Sequence, residues 1–324
     1  MKLFARIAHW TKVRIRWARI VAKQVVRFVT HDMWYLNAKD LSRWKARLLE
    51  DLKSVFLMLK VFADQKIGYQ VTALAYQSMM SVVPFLAIGL YLTNGIGISD
   101  QFQGFLEANI SNQKLITDLL AASDKIIATA ESGLFGFISM FSFLWILIWL
   151  MLTVRRVFNN VWKQDESRNF FHVLGVGIGV LILSPFVIVL FFSGSVIYST
   201  VLDYLVPTGL FFSDSLKTFL SWVLFAGATI LMLTAMYKLV PAARVRTRPA
   251  FKAAFIAGIG FTAVQYLYLE TQVLVAKQNA IYGVLAAIPL FMIWLNLGWT
   301  IILYGAELSY SFQNVNHLKP SEMP

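Results

Sequence analysis

The stretch 71-VTALAYQSMMSVVPFLAIGLYLT-93 decides the fold class. It holds no charged residue, and as a helix it is about long enough to cross the ~30 Å hydrocarbon core of a bilayer. It is not uniformly apolar: Tyr76, Gln77, Ser78 and Ser81 lie in its first half and Pro84 in its second. A lipid-facing anchor has no use for such a polar band, so the stretch reads as a transmembrane helix with a side turned toward other helices.

The rest of the chain agrees with that reading. At 324 residues, 58% hydrophobic and with a mean hydropathy of +0.64, the composition is that of a polytopic membrane protein. Further apolar runs predict six spans in all, at about 72–93, 134–154, 173–198, 216–240, 250–269 and 284–306. The expected fold is therefore an all-α integral membrane protein, with a six-helix domain over 67–310 and a short tail at 311–324. Within it, Gly175 and Gly179 form a small-xxx-small pair that lets helices approach closely. A phosphate-cradling loop would need a preceding strand and a full GxGxxG, and neither is present.

Residues 1–66 form a basic arm with 15 Lys/Arg against five acids. Leu3, Ile7, Trp10, Trp17, Val21, Val25 and Phe28 recur near a helical period between the charges, as in a helix lying on a membrane surface. A charge every few residues excludes a signal peptide. A second helix is expected after Asn37 or Asp40, with Leu41, Trp44, Leu48, Leu52, Val55, Phe56 and Leu59 on one face. It would either embed in the interface or pack under the bundle. After the first span, residues 94–132 carry five acids and two Lys and read as amphipathic extracytoplasmic helices.

Charge sets the expected orientation. Segments 1–66, 155–172, 238–252 and 307–324 hold 25 of the 29 Lys/Arg, so both termini are expected in the cytoplasm. The net charge of +12 is then a topogenic signal. The arm suits anionic lipid headgroups, and membrane lipids rather than nucleic acid are the expected partner. The chain has no Cys, hence no disulfide or thiolate chemistry, and no Walker motif. Its histidines, His9, His31, His172 and His317, are scattered, without the clustering a metal phosphodiesterase needs. No cofactor, metal or catalytic residue is expected, and the chain reads as a non-enzyme.

Landmarks in order along the chain resemble those of the YihY/BrkB family of bacterial inner-membrane proteins. They are Ala75-Tyr76 followed by Ser81-Val-Val-Pro84, Asn159-Asn-Val-Trp162, Leu239-Val-Pro241, Tyr282-Gly283 and Gly305-Ala306-Glu307-Leu308. The resemblance covers about 70–310 and implies a six-helix inner-membrane protein. The family has carried a ribonuclease BN label and links to virulence, serum resistance and envelope lipid transport. The histidine pattern speaks against the nuclease label.

Several polar residues are candidates for function. Tyr76, Gln77, Ser78, Ser81, Pro84 and Asn296 could line a substrate path, the ordinary alternative being interhelical hydrogen bonds and kinks. Arg155 and Arg156 end the second span, where positive charge at the cytoplasmic side is ordinary. Glu307 is less easily explained, because an acid closing a helix opposes the dipole. A gate pair between Glu307 and Arg155 or Arg156 is expected on that ground. Tyr282-Gly283 reads as a re-entry turn that uses glycine's freedom at positive φ. Trp145, Trp149, Trp294 and Trp299 fall inside spans and read as core packing or as the lining of an acyl groove. Together these features suggest a flippase-like transporter of a lipid or lipid-linked amphiphile. The alternative is a non-transporting scaffold or regulator of envelope processes. An ion channel is weaker, for want of a filter motif or a carboxylate ring.

Overall fold

The computed structural model describes residues 33–36, 41–64, 66–96, 134–164, 214–276 and 280–315, with isolated positions 27, 117, 121, 125 and 128. Most of the arm before residue 33, the loop helices of 97–132, the expected third span with Gly175 and Gly179, and all four histidines lie outside the described residues. Among the described residues every regular element is a helix. These are α1 (Met33–Tyr35), α2 (Arg43–Asp64), α3 (Ile67–Ile96), α4 (Leu134–Val161), α5 (Asp214–Leu239), α6 (Thr247–Ala276) and α7 (Ala280–Asn314).

Within α4, α5, α6 and α7, the segments Leu144–Val161, Thr218–Leu239, Thr247–Gln272 and Ile288–Asn314 are long and apolar enough to cross a membrane. They overlap the expected second, fourth, fifth and sixth spans, and α3 contains the first. The helices begin and end where local chemistry directs. Pro241 lies just past α5, where its ring would clash with the preceding turn. Pro249 sits in the first turn of α6, where no N–H is required of it. α7 is the longest helix and runs through Pro289.

Two expected boundaries shift. Tyr282 and Gly283 are part of α7 itself, in its first turn, so no re-entry turn is built there. Glu307 does not close a helix either, because α7 continues to Asn314, two turns further on. Hydropathy falls at Glu307, but the backbone hydrogen bonds do not.

α7 packs against α6, α3 and α2, and α6 packs against α5. The main core joins Ile67, Leu74, Phe158, Leu233, Ala254 and Leu303 from five helices. A smaller one gathers Phe225, Phe261 and Trp294. α6 turns Ala250, Ala253, Ala254, Ala257 and Gly258 inward, a stripe of small residues that permits close helix approach. At Gly258 a β-carbon would lie 2.6 Å from Ile230 Cγ1 on α5. The tryptophans divide. Trp294 is buried, whereas Trp145 and Trp149 face outward in a row of ring contacts with Phe141.

The expected apolar face of α2 was given no direction by the sequence, and the structure gives it one. α2 packs on the bundle through Leu49, Ser54, Leu57 and Val61, and Phe62 stacks on Tyr304 of α7 at 3.8 Å. Trp44, Leu48, Leu52, Val55 and Leu59 point away from the bundle. The helix has two apolar faces, and periodicity alone does not say which one finds the protein.

Candidate functional site

Three of the separated sequence landmarks meet at the end of the bundle where α4 and α5 finish, α6 begins and α7 runs out. α4 ends at Val161 in a Schellman motif: Lys163 N–H donates to Asn160 C=O and Gln164 N–H to Asn159 C=O, both at 3.0 Å. Lys163 takes the left-handed position, with φ 50°, that glycine usually fills. This reversal leaves the Asn159 side chain facing the α5–α6 connection. Its Oδ1 accepts the N–H of Ala242, directly after Pro241, at 2.8 Å.

The α6 side of the same connection is held by α7. Gln313 Oε1 accepts Arg246 N–H at 2.8 Å, and Gln313 Nε2 donates to Arg244 C=O at 3.2 Å. Trp162 meets Tyr310 edge to face at 5.5 Å, and Lys163 Nζ lies 5.8 Å from the Tyr310 ring centroid. Between them opens a pocket of about 490 Å³, lined by Trp162, Lys163, Arg244, Tyr310, Gln313 and Asn314 among others.

Glu307 lies one turn before Tyr310 and Ser311 on α7 and is 0% exposed. Neither of its carboxylate oxygens accepts a hydrogen bond among the described residues. The expected hydrogen-bonded pair with Arg155 or Arg156 is therefore not formed in this arrangement. Lys163 is the cation whose charge acts on Glu307. At the end of α4 and just past it, Asn159 Nδ2 and Trp162 Nε1 are buried donors with no partner among the described residues, and the hydroxyls of Ser309 and Ser311 are likewise unmatched there. An unmet buried polar group costs about 1–3 kcal/mol, and a charged one more. Acceptors and donors buried together without direct contact can bind water, a proton or the polar part of a ligand.

The residues of the first span take different roles. Ser78 Oγ accepts Trp299 Nε1–H at 3.0 Å, an interhelical bond that ties α3 to α7. Ser81 is buried and donates to Gln77 C=O at 2.7 Å within its own helix. Gln77 Oε1 and, two turns earlier, Gln70 Oε1 are buried without a partner. Tyr76 is exposed, Asn296 is half-buried, and the side chain of Pro84 lies outside the described residues. Gln265, which the sequence analysis passed over, is fully buried in α6 and accepts Trp294 Nε1–H from α7 at 2.9 Å. A single amide in an apolar span was the available signal.

The chain matches the Virulence factor BrkB family over residues 58–323. Among curated proteins it is similar to a UPF0761 membrane protein of Alteromonas mediterranea, 25% identical over 284 residues, covering 85% of this chain and 92% of the relative. A UPF0761 membrane protein of Legionella pneumophila is 28% identical over 290 residues, covering 85% of this chain and 66% of that longer relative. One of Haemophilus influenzae is 22% identical over 265 residues, covering 80% of this chain and 94% of the relative. No solved structure matches the chain.

Proposed function

We propose, from the premise that this chain is a membrane protein belonging to the Virulence factor BrkB family, that it moves a lipid or lipid-linked amphiphile across the bacterial inner membrane. The observation that carries this reading is Glu307, fully buried with both carboxylate oxygens unpartnered, where α4, the α5–α6 connection and α7 meet. Polar and ionisable groups inside a membrane bundle are expensive. A bundle with only a structural task would be more stable with an apolar residue at 307.

In this reading Glu307 and Lys163 form a polar station at the cytoplasmic end, and the pocket beside Tyr310 is its mouth. Gln70 and Gln77 supply further unmatched acceptors along α3. The six-span arrangement with both termini cytoplasmic belongs to the same proposal and draws on the charge asymmetry of the loops. Arg155 and Arg156 then keep an electrostatic role at the headgroup level. The chain acts without chemistry of its own and without a cofactor.

The test is lipid movement in proteoliposomes of the purified protein, using headgroup-labelled anionic and neutral lipids, with Gln77→Ala, Asn296→Ala and Glu307→Gln beside the native chain. Protein-dependent movement that Glu307→Gln abolishes supports a lipid path ending at this station. Movement no faster than in empty vesicles, with or without a proton gradient, overturns transport and favours a scaffold.

A further inference from the structure

The outward face of α2 is a feature that the proposed transport role leaves unused. Trp44, Leu48, Leu52, Val55 and Leu59 follow one another at spacings of three and four, and each is 38–64% exposed. They form a continuous apolar stripe beside the face that packs on the bundle. Lys45 and Lys60 run along one border of the stripe, about 100–160° around the helix from Trp44, while Lys53 Nζ donates to Leu36 C=O at 3.2 Å. Lys45 Nζ stands 5.6 Å from the Trp44 ring centroid.

The position of α2 says what covers this face. Asp51 bridges to Lys252 in the first turns of α6 at 2.8 Å, and Phe62 stacks on Tyr304 in the last turns of α7. α2 is thereby fastened beside the ends of two membrane-crossing segments, Thr247–Gln272 and Ile288–Asn314. At that end α6 also turns Phe251 and Phe255 outward.

We infer that α2 is an interfacial helix whose Trp44–Leu59 stripe is sunk into the acyl boundary of an anionic leaflet, with Lys45 and Lys60 at the headgroups. The chemistry is that of a surface-lying amphipathic helix: apolar area supplies the burial, and the cations supply the preference for negative charge. Salt bridge and ring stack fix the helix to the bundle, so it holds the adjoining helix ends at the bilayer surface. This inference concerns the bilayer contact alone and does not depend on transport.

The chain lacks cysteine, so single-cysteine variants can carry a nitroxide with no background labelling. Leu48→Cys, Leu52→Cys and Leu59→Cys would be compared with Lys45→Cys and Lys60→Cys in vesicles of phosphatidylethanolamine and phosphatidylglycerol. The expected result is that labels at 48, 52 and 59 collide with oxygen several-fold more than with a water-soluble nickel complex, and that labels at 45 and 60 show the reverse. Nickel-dominated collisions at 48, 52 and 59 would overturn the inference by placing the stripe in water. Shielding from both agents, with spin–spin broadening at full labelling, would overturn it in favour of a second copy of the chain. Each variant's elution as a single species in detergent checks its fold.

Discussion

The ring of Tyr237 on α5 occupies the space that a side chain at position 305 would need. Its hydroxyl donates to the Ile302 carbonyl of α7 at 3.0 Å, which brings the tip of the ring against Gly305. A β-carbon at Gly305 would overlap the Tyr237 hydroxyl and sit 2.7 Å from Ala257 Cβ on α6. Three helices thus close on one glycine, two residues before Glu307.

Gly305→Ala is expected to destabilise the protein by about 1–3 kcal/mol, the usual cost of overpacking. Denaturation in detergent micelles would measure it. Combining it with Tyr237→Ala should cost less than the two changes summed, because truncating the ring frees the space. Full additivity would show that the close approach is not what requires glycine.

Asn159→Ala should cost about 1–2 kcal/mol, since the half-buried N–H of Ala242 loses its acceptor. The neighbouring Asn160 is exposed, and Asn160→Ala should stay within about 0.5 kcal/mol of the native chain. The contrast between the two, read from the same unfolding curves, checks the assignment. Equal effects would refute it.

Lys163 separates backbone from charge. Lys163→Gly removes the Cβ from a left-handed residue, so it should be more stable than Lys163→Ala by about 0.5–1 kcal/mol. Both variants remove the cation that acts on Glu307. If the charge matters to function, the two should lose activity to the same degree despite their different stabilities. Activity that instead tracks stability would make Lys163 a capping residue only.

Glu307→Gln should leave stability unchanged or raise it, because an uncharged amide is cheaper to bury than a carboxylate without a hydrogen-bonded partner. Lipid movement should fall at the same time, the pattern of a residue kept at a cost in stability. A clear loss of stability would mean that the carboxylate is a structural anchor.

Gln265→Leu should destabilise by about 1–3 kcal/mol through the orphaned Trp294 N–H. The partner variant Trp294→Phe should couple with it, giving a double variant less damaged than the sum. The pair is a structural cross-link between α6 and α7, so lipid movement per folded molecule should not change.

Membrane class and helix positions were legible in the chain because hydropathy and charge are local properties. Thirty apolar residues bounded by Lys and Arg, or by Pro241, read the same wherever they pack. Glu307 stood out too, as an acid in an apolar run. Its surroundings were not legible, because they depend on contacts between distant parts of the chain. Asn159 and Ala242 stand 83 positions apart, and Arg246 and Gln313 stand 67 apart. No periodicity joins them. The same limit applies to α2, whose apolar stripe was legible while its direction stayed open. Which face meets the bundle is settled by how α2 fits against α6 and α7. Tyr282 and Gly283 carry a turn's composition yet begin α7, because an unbroken hydrogen-bond ladder outweighs the modest cost of one glycine in a helix. Sequence alone determined that this protein is built of apolar helices in a membrane. Only the packing of those helices left a carboxylate with no hydrogen bond among the described residues and an apolar stripe facing outward.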